Sequence, residues 1–328
     1  MQLIPVGILG TGKYVPEKIL TNAELEKMID TNDEWIVSRT GIRERRIAAP
    51  EQATSDLAYE ASLKAMEMAG LTAADIDLII VATLSPDHVF PSTACLVQAR
   101  LGATKAAAFD LEAACSGFVY ALSSAYGYIA TGQYKHVLVV GAETLSRITD
   151  YTDRNTCILF GDGAGAAVLG PVEQGKGIKS FVMGADGNGG KLLQVANGGT
   201  RDPLTLENIN DRKQFIYQNG KEVFKFAVRI MGNAAEEAIA KAGLSKADID
   251  LFIPHQANIR IIEAAMERLE LSKDKVMINL DRYGNTSAAT IPIALAEAVE
   301  QGRVKSGDQI VLVGFGGGLT WAACVLTW

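Results

Sequence analysis

The chain of 328 residues repeats part of its own sequence, and this repeat limits the folds open to it. Residues 69–80, Ala-Gly-Leu-Thr-Ala-Ala-Asp-Ile-Asp-Leu-Ile-Ile, recur at 242–253 with a constant offset and most positions identical. Each copy follows a helical pattern, over 56–69 or 232–242, and has a glycine suited to a helix C-cap and then an apolar run typical of a buried strand. A further pair of apolar runs, Val137–Gly141 and Gln309–Gly314, keeps the offset. We interpret this order as an internal duplication.

Each copy continues in the same way after the repeated segment. Strand-like runs at 106–111 and 276–280 are each followed by a loop and a helical segment without charge, one from Cys115 and one over 286–296. A helix without a polar face needs protein on all sides. Helices that alternate with buried strands predict sheets covered on both faces. The sequence therefore predicts an α/β fold with five layers, α-β-α-β-α, built from two duplicated halves.

The predicted boundary between the halves lies in the Gly-, Pro- and charge-rich stretch 170–177, which gives an N-terminal half of residues 1–172 and a C-terminal half of residues 173–328. The segment 184–214 is polar and rich in glycine. It is either a plain surface excursion or a loop that covers the functional site, because long loops often carry function.

Charge and cysteine usage exclude several classes of function. Lysine and arginine total 31 against 38 aspartates and glutamates, a net charge of −7, which argues against general nucleic-acid binding. None of the four cysteines is in a CxxC pair, so a zinc knuckle is not expected, and the spacing suits a reducing cytoplasm. The uncharged stretch 113–134 is rich in small residues and predicts a buried helix, not a membrane span.

Cys115 follows a predicted strand and begins the first uncharged helix. A helix N-terminus offers free N–H groups and the positive end of the helix dipole, which lower a thiol pKa and suit a nucleophile. The same N–H groups suit an oxyanion. The alternative is a small buried cysteine with a packing role. The other three cysteines lack this setting, and we predict that they are packing residues.

His255 and Asn285 occupy related places in the second copy. His255 follows the repeated strand where the first copy has Ala82, and Asn285 lies in the loop before the second uncharged helix. A core histidine and a Gly-Asn turn are the alternatives. Ligands of α/β folds commonly bind beyond the carboxyl ends of strands. A pseudo-twofold arrangement of the halves predicts that Cys115, His255 and Asn285 meet at one site.

Two glycine-rich runs have different interpretations. Gly316–Gly318 follows the last predicted strand of the repeat and allows a close approach of backbone, either to a ligand or in a tight connection. The run 161–166, Gly-Asp-Gly-Ala-Gly-Ala, leads into a strand-like segment, whereas a dinucleotide fingerprint opens a helix. We therefore exclude a nucleotide loop at 161–166.

These motifs together resemble the β-ketoacyl-acyl-carrier-protein synthase III family of the thiolase superfamily, over essentially the whole chain. The motifs that carry the resemblance are Asp33-Glu-Trp-Ile-Val-Ser-Arg-Thr-Gly-Ile-Arg-Glu-Arg45, Ala113-Ala-Cys-Ser-Gly117, Phe160-Gly-Asp-Gly-Ala-Gly165, Pro254-His-Gln-Ala-Asn258, Gly284-Asn-Thr-Ser287 and Gly316-Gly-Gly318. The Cys–His–Asn set separates this group from elongating ketosynthases, which use Cys–His–His. The thiolase-like five-layer fold of the family agrees with the predicted layers.

The resemblance implies a cytoplasmic acyltransferase that begins bacterial type II fatty acid synthesis. Cys115 would attack an acyl-coenzyme A primer, most simply acetyl-coenzyme A, with the oxyanion on the N–H groups of Cys115 and Gly317. His255 and Asn285 would then bind the thioester carbonyl of malonyl-acyl carrier protein during decarboxylation. No metal or redox cofactor is implied, since both substrates arrive on a phosphopantetheine arm.

The resemblance also assigns binding residues and a homodimer. Coenzyme A contacts are implied at five positions, with Trp35 and Arg154 flanking the adenine: Trp35, Arg39, Thr40, Arg154 and Asn258. Leu145 and, from the partner subunit, Phe90 would line the acyl pocket. Arg260, Lys225 and Arg268 would bind the acidic carrier protein. Asn155 stands where the family often has glycine, which leaves the adenine contact less defined.

Three other functions are open to these residue types. Polyketide-type and hydroxymethylglutaryl-coenzyme A synthases share the Cys–His–Asn set but usually have longer chains. A cysteine protease uses the same residue types in the same order, yet this chain lacks the protease signature and is internally duplicated. A non-enzymatic acyl binder would keep the fold without a reactive cysteine.

Overall fold

The computed structural model describes residues 3–328, which form strands and helices in an alternating order. The strands are β1 (Val6–Tyr14), β2 (Lys18–Thr21), β3 (Glu44–Ile47), β4 (Leu78–Ala82), β5 (Ala107–Leu111), β6 (Val137–Thr144), β7 (Asp162–Pro171), β8 (Gly177–Ala185), β9 (Leu193–Gln194), β10 (Tyr217–Gln218), β11 (Leu251–Pro254), β12 (Gln309–Gly316) and β13 (Thr320–Thr327). The α-helices are α1 (Asn22–Leu25), α2 (Asp33–Thr40), α3 (Thr54–Ala69), α4 (Thr93–Leu101), α5 (Gly117–Ala130), α6 (Gly220–Lys241), α7 (Ile259–Arg268), α8 (Leu280–Tyr283) and α9 (Thr290–Glu300).

Two large mixed sheets follow the same plan. The first has the order β1-β7-β6-β4-β5, and the second has the order β8-β13-β12-β11. In each sheet the first three strands are antiparallel neighbours and the next pair is parallel. The repeated segment supplies the matched strands β4 and β11. The run 161–166 lies at the start of β7, as expected for a strand and not for a nucleotide loop.

The second sheet lacks one strand that the sequence predicts. Residues 276–280 do not form a strand; only Val276 bridges to Phe252, in parallel. The Gln256 side chain donates to the carbonyl oxygen of Met277 and accepts from the N–H of Asn279. The Met277 carbonyl and the Asn279 N–H are therefore not free to pair with a neighbouring strand, and the chain continues into α8. The counterpart of β5 is therefore reduced to a single bridge.

Helices α5 and α9, which both begin with a run of uncharged residues, lie between the two large sheets. Buried residues of α5 and α9 share one apolar cluster with residues from both sheets, such as Val139 and Leu312. Gly165 on β7 shows how closely the layers approach, because a Cβ there would lie 2.5 Å from the backbone nitrogen of Ile293. Helices α3 and α4 cover the outer face of the first sheet, and α6 and α7 cover the second. The predicted five-layer α-β-α-β-α fold is confirmed.

The strands of the first large sheet end at Pro171, and those of the second begin at Gly177. The division at 172/173 stays a prediction about independent halves. Within residues 3–328, none of the helices has the length and apolar character needed to cross a membrane. The segment 184–214 includes β9, whose Leu193 and Gln194 line cavities at Cys115, so part of this segment covers the candidate site.

Candidate active site

Cys115 lies in a 3-10 turn, Ala114–Ser116, that leads directly into α5. Ala114 has a φ of +46°, a conformation uncommon for a residue with a side chain. The C-terminal half holds this turn in place: Thr320 Oγ1 donates to the carbonyl oxygen of Ala113 at 2.9 Å. A Cβ on Gly316 would lie 2.5 Å from the Cys115 nitrogen, so only glycine permits this approach.

The predicted lowering of the Cys115 pKa is wrong for the free protein. Burial raises the pKa of the thiol to about 12, and the carboxylates of Glu143 and Glu112 act in the same direction. The position at a helix start does not outweigh the removal of the thiolate from water. Cys115 is therefore a protonated thiol in the free protein and needs a base when it attacks a substrate. The packing prediction for Cys95 is also wrong, because this cysteine is exposed.

His255 follows β11 and is buried in the same region. Its Nδ1 atom lies 2.6 Å from Thr290 Oγ1, and its ring packs edge-on against Phe315. Burial lowers the pKa of His255 to about 3, so the ring is neutral at neutral pH. A neutral imidazole has one nitrogen that donates and one that accepts, and can therefore receive a proton from a thiol.

Asn285 is held by backbone from the other half of the chain. Its N–H donates to the carbonyl oxygen of Leu159 at 2.8 Å, and the N–H of Gly161 donates to its carbonyl oxygen at 3.0 Å. The side-chain oxygen accepts from the N–H of Ser287 at 2.8 Å. Because that contact uses the amide oxygen, the amide NH₂ group remains to donate to a ligand in the cleft.

A cleft of about 870 Å³ brings the three predicted residues together. Cys115, His255 and Asn285 all line it. Other predicted residues line the same cleft, and they are Trp35, Arg39, Thr40, Asn258, Arg260 and Lys225. The cleft therefore connects the indole of Trp35 with the thiol of Cys115, as a route for a long, thin substrate arm requires.

The predicted adenine sandwich of Trp35 and Arg154 is closed in this structure. The Arg154 guanidinium carbon lies 4.3 Å from the centre of the Trp35 ring, which leaves no room for a base between the two groups. Arg39 also contacts this ring, at 4.7 Å. Arg154 pairs with the exposed Asp30 at 3.8 Å. An adenine would therefore have to displace Arg154 from the indole.

Asn258 and Thr40 use most of their polar groups within the protein. Asn258 Nδ2 donates to the Arg39 carbonyl oxygen, and its Oδ1 accepts from the N–H of Arg260 at the start of α7. Thr40 Oγ1 donates to Ile36 and accepts from Ile42. Asn258 keeps one N–H for a substrate, whereas the Thr40 hydroxyl mainly fixes the end of α2.

A second cavity of about 360 Å³ reaches Cys115 from another side. Leu145, predicted to line the acyl pocket, and Gly317, predicted to bind the oxyanion, both line it. Phe90 does not line this cavity; its side chain is 85% exposed on the surface of the chain. Its contribution to the pocket of a partner subunit stays a prediction.

The structure separates the three basic residues predicted to bind an acidic partner. Arg260 and Lys225 line the cleft, and the Arg260 guanidinium lies 5.0 Å from the ring centre of Phe224. Arg268 is at the other end of α7 and pairs with Glu236 at 2.7 Å. Arg268 does not line the cleft with Arg260 and Lys225, because it is the last residue of α7 and Arg260 is near the first.

Sequence reasoning did not single out Glu143 or Thr290. Glu143 is the second-last residue of the strand β6, and it accepts from Thr83 Oγ1 at 3.1 Å and from Ser85 Oγ at 2.5 Å. Burial raises the pKa of this carboxyl group to about 7. A lone carboxylate at the end of an apolar run is the signal that could have revealed it. For Thr290, the signal is its match to Gly117 at the repeat offset.

Comparison with known proteins decides the family. The 3-oxoacyl-[acyl-carrier-protein] synthase III model matches residues 109–187, and the model of its C-terminal part matches residues 239–328. The β-ketoacyl-[acyl-carrier-protein] synthase III of Caldanaerobacter subterraneus is 60% identical over 325 residues, with 99% of this chain and 98% of the relative covered. The chain belongs to the β-ketoacyl-[acyl-carrier-protein] synthase III family.

Solved structures of this synthase III family share the fold. The enzyme from Thermus thermophilus is 55% identical, with a TM-score of 0.92 and coverage of 98% of this chain and 99% of that chain. The priming β-ketosynthase of the R1128 polyketide pathway is 38% identical, also with a TM-score of 0.92, and 97% of it is covered. This polyketide synthase is therefore of similar length, so chain length alone does not exclude the polyketide-type alternative. The chain is an acyltransferase of the condensing-enzyme type.

Proposed function

We propose that this chain joins an acyl-coenzyme A primer, acetyl-coenzyme A in the simplest case, to malonyl-acyl carrier protein. The products are 3-ketoacyl-acyl carrier protein, coenzyme A and carbon dioxide, and the reaction starts fatty acid synthesis. The observation that supports this most is the convergence of Cys115, His255 and Asn285 on one cleft that also reaches Trp35. The reaction needs no metal or redox step, because thioester exchange and carbon dioxide loss supply its driving force.

In the first stage the Cys115 sulfur attacks the primer carbonyl and the coenzyme A thiolate leaves, which gives an acyl-enzyme. The N–H groups of Cys115 and Gly317 would hold the oxyanion of the tetrahedral intermediate. The cavity of about 360 Å³ at Cys115 is the natural place for the acyl chain. Its lining includes the apolar side chains of Leu145, Phe160 and Ile216, which suit a short acyl group.

In the second stage the malonyl group replaces coenzyme A in the cleft. The amide NH₂ of Asn285 and the Nε2 side of His255 would bind the thioester carbonyl as carbon dioxide leaves. Negative charge develops on that oxygen, and fixed donors in a buried site stabilise it. The carbanion then attacks the carbonyl carbon of acyl-Cys115 and releases the thiolate.

The mass of the intact protein after incubation with acetyl-coenzyme A tests the first stage. We expect one added acetyl group on the wild type and none on Cys115→Ala. If no acyl-coenzyme A, including branched and longer primers, adds to a Cys115 that iodoacetamide can alkylate, the proposed primer class is wrong. A Cys115 inert to both reagents would instead support an acyl binder.

The carrier-protein partner is tested by reversing one charge at the cleft mouth. Arg260→Glu should lower carrier-dependent condensation about tenfold, because it places a like charge against an acidic partner. It should spare acetylation of Cys115 by coenzyme A thioester. Arg268→Ala is the matched control, since Arg268 lies away from the cleft. Equal loss of both activities in Arg260→Glu would remove the proposed role in partner binding.

The protein is proposed to act as a homodimer. Val89 and Phe90 are adjacent, apolar and almost fully exposed, at 95% and 85%. Exposed apolar residues of this size commonly mark an interface. Light scattering at micromolar concentration should give twice the mass of one chain, and a monomer would refute the dimer.

A further inference from the structure

The repeat relates a pair of contacting positions in the first half to a pair in the second. At the offset that relates Ala69 to Ala242, Ala82 corresponds to His255 and Gly117 corresponds to Thr290. In the first half, a Cβ on Gly117 would lie 3.3 Å from the Ala82 Cβ. In the second half, Thr290 Oγ1 lies 2.6 Å from His255 Nδ1. The positions touch in both halves, but the hydroxyl is present only where the imidazole is.

The hydrogen bonds of Thr290 define its relation to the histidine. Its hydroxyl donates to the carbonyl oxygen of Ser287 at 3.0 Å. A hydroxyl has a single proton to donate, and assigning that proton to Ser287 makes Thr290 the acceptor in the contact with His255. The Nδ1 atom of His255 then carries the ring proton. In the described part of the chain Nε2 has no hydrogen-bond partner, and the ring lines the cleft beside Cys115.

We propose that Thr290 is a positioning residue that holds His255 as the Nδ1–H tautomer, so that the bare Nε2 atom faces the cleft and receives the proton of the Cys115 thiol. This inference rests on the proposed function, because it assigns the base that the first stage requires. The hydrogen bond to Nδ1 also fixes the ring against rotation, a common way to set which imidazole nitrogen reacts.

The proton balance of the reaction follows from this tautomer. The thiol proton passes to His255 Nε2 as the sulfur–carbon bond forms. Coenzyme A leaves as a thiolate when its carbon–sulfur bond breaks, and it takes a proton from solvent. The imidazolium keeps its Nδ1–H on Thr290 and now has an Nε2–H to donate to the malonyl thioester carbonyl. When the 3-ketoacyl product leaves Cys115, the thiolate takes that proton back.

The tautomer can be observed directly by NMR of protein labelled with ¹⁵N-histidine. The chain has three histidines, which keeps the spectrum simple, and the His255→Ala spectrum identifies the signals of His255. We expect a protonated Nδ1 and an unprotonated Nε2 in the wild type and in Thr290→Ser. Thr290→Val keeps the shape but lacks the hydroxyl, and its ring should populate the Nε2–H form. An Nε2–H ring in the wild type would overturn the proposal.

The rate of acetylation of Cys115 provides the second measurement. Thr290→Val should slow it about 10²-fold, a common contribution of general-base catalysis, and Thr290→Ser should restore most of it. Thermal unfolding of both variants checks that each is folded. If Thr290→Val does not fold, the spectra of the wild type and of Thr290→Ser still show which ring nitrogen of His255 is protonated, and an Nε2–H ring would overturn the proposal. Equal rates in folded Thr290→Val and wild type would overturn the proposal. A wild type that is never acylated but has the Nδ1–H ring would refute the function and not the tautomer.

Discussion

The turn around Cys115 and the turn after Asn285 share one backbone and perform different tasks. Ala114–Ser116 and Ser287–Ala289 are both 3-10 turns, related by the repeat offset, and each leads into a helix of the central layer. Their first residues have φ angles of +46° and +49°. The duplicated backbone thus supplies the same uncommon geometry twice. The side chains differ: the first turn presents the Cys115 thiol, whereas the second has Ala288 at that position and follows the Asn285 amide.

Each turn is held by the opposite half of the chain. Thr320 in the C-terminal half accepts from Ser116 Oγ and donates to Ala113 beside it. Leu159 and Gly161 in the N-terminal half bind the backbone of Asn285. Neither half alone therefore has a supported set of proposed catalytic groups. This crossed arrangement explains why the site needs both copies, even though each copy repeats the same elements.

The largest expected effect separates the tasks of the two turns. Asn285→Asp keeps an oxygen to accept from the N–H of Ser287 but removes the amide donors. We expect malonyl decarboxylation to fall by about 10²–10³-fold, the usual cost of one lost oxyanion donor, while acetylation of Cys115 persists. Release of carbon dioxide from malonyl-carrier protein and intact mass measure the two stages separately. If both stages fall together, the division of labour between the turns is wrong.

A second prediction concerns Glu143, the buried carboxyl group beside both turns. Its pKa of about 7 in the folded protein is above the ordinary 4.5, so its contribution to stability is present below pH 4.5 and is lost as the pH rises through 7. Glu143→Gln removes this titration. Between about pH 5 and pH 8, the wild type should lose about 2–3 kcal/mol of unfolding free energy relative to the variant.

Denaturant unfolding of the wild type and Glu143→Gln at several pH values checks this prediction. If the unfolding free energies of the two proteins change equally with pH, the prediction is wrong. Because Glu143 raises the pKa of the Cys115 thiol, the variant should also be alkylated faster by iodoacetamide at the same pH. Cys115→Ala reports the background reaction of the remaining cysteines.

The smallest expected effect concerns the first residues of the two central helices, Gly117 in α5 and Thr290 in α9. Gly117→Thr gives the first turn the side chain that Thr290 gives the second. A Cβ on Gly117 meets Ala82 at 3.3 Å and Ala288 at 3.7 Å, so a threonine overfills the space. We expect a loss of about 1–3 kcal/mol in unfolding free energy. Thermal unfolding measures it; a variant as stable as the wild type would show that the two positions are interchangeable in packing.

The site could be located from the sequence because it depends on local pattern and on the repeat. The apolar periodicity indicated the strands, the uncharged helices indicated the central layer, and the matched strand ends directed attention to Cys115, His255 and Asn285. Residues whose role depends on distant partners were harder. Arg268 is paired with Glu236 at the far end of α7, a contact that the sequence did not indicate, and its role in partner binding stays a prediction. Residues 276–280 resembled a strand until the Gln256 side chain took their hydrogen bonds.

The sequence by itself determined the duplicated five-layer plan and the identity of the reactive groups, because periodicity and residue type are local properties. The tertiary structure alone decided the electrostatics. A helix start predicted a lowered pKa for Cys115, but complete burial beside Glu143 raises it. The tertiary structure also decided that Thr290 meets His255, a contact between residues 35 positions apart. Desolvation and long-range contact depend on what the whole chain places around a group, and no local pattern records that.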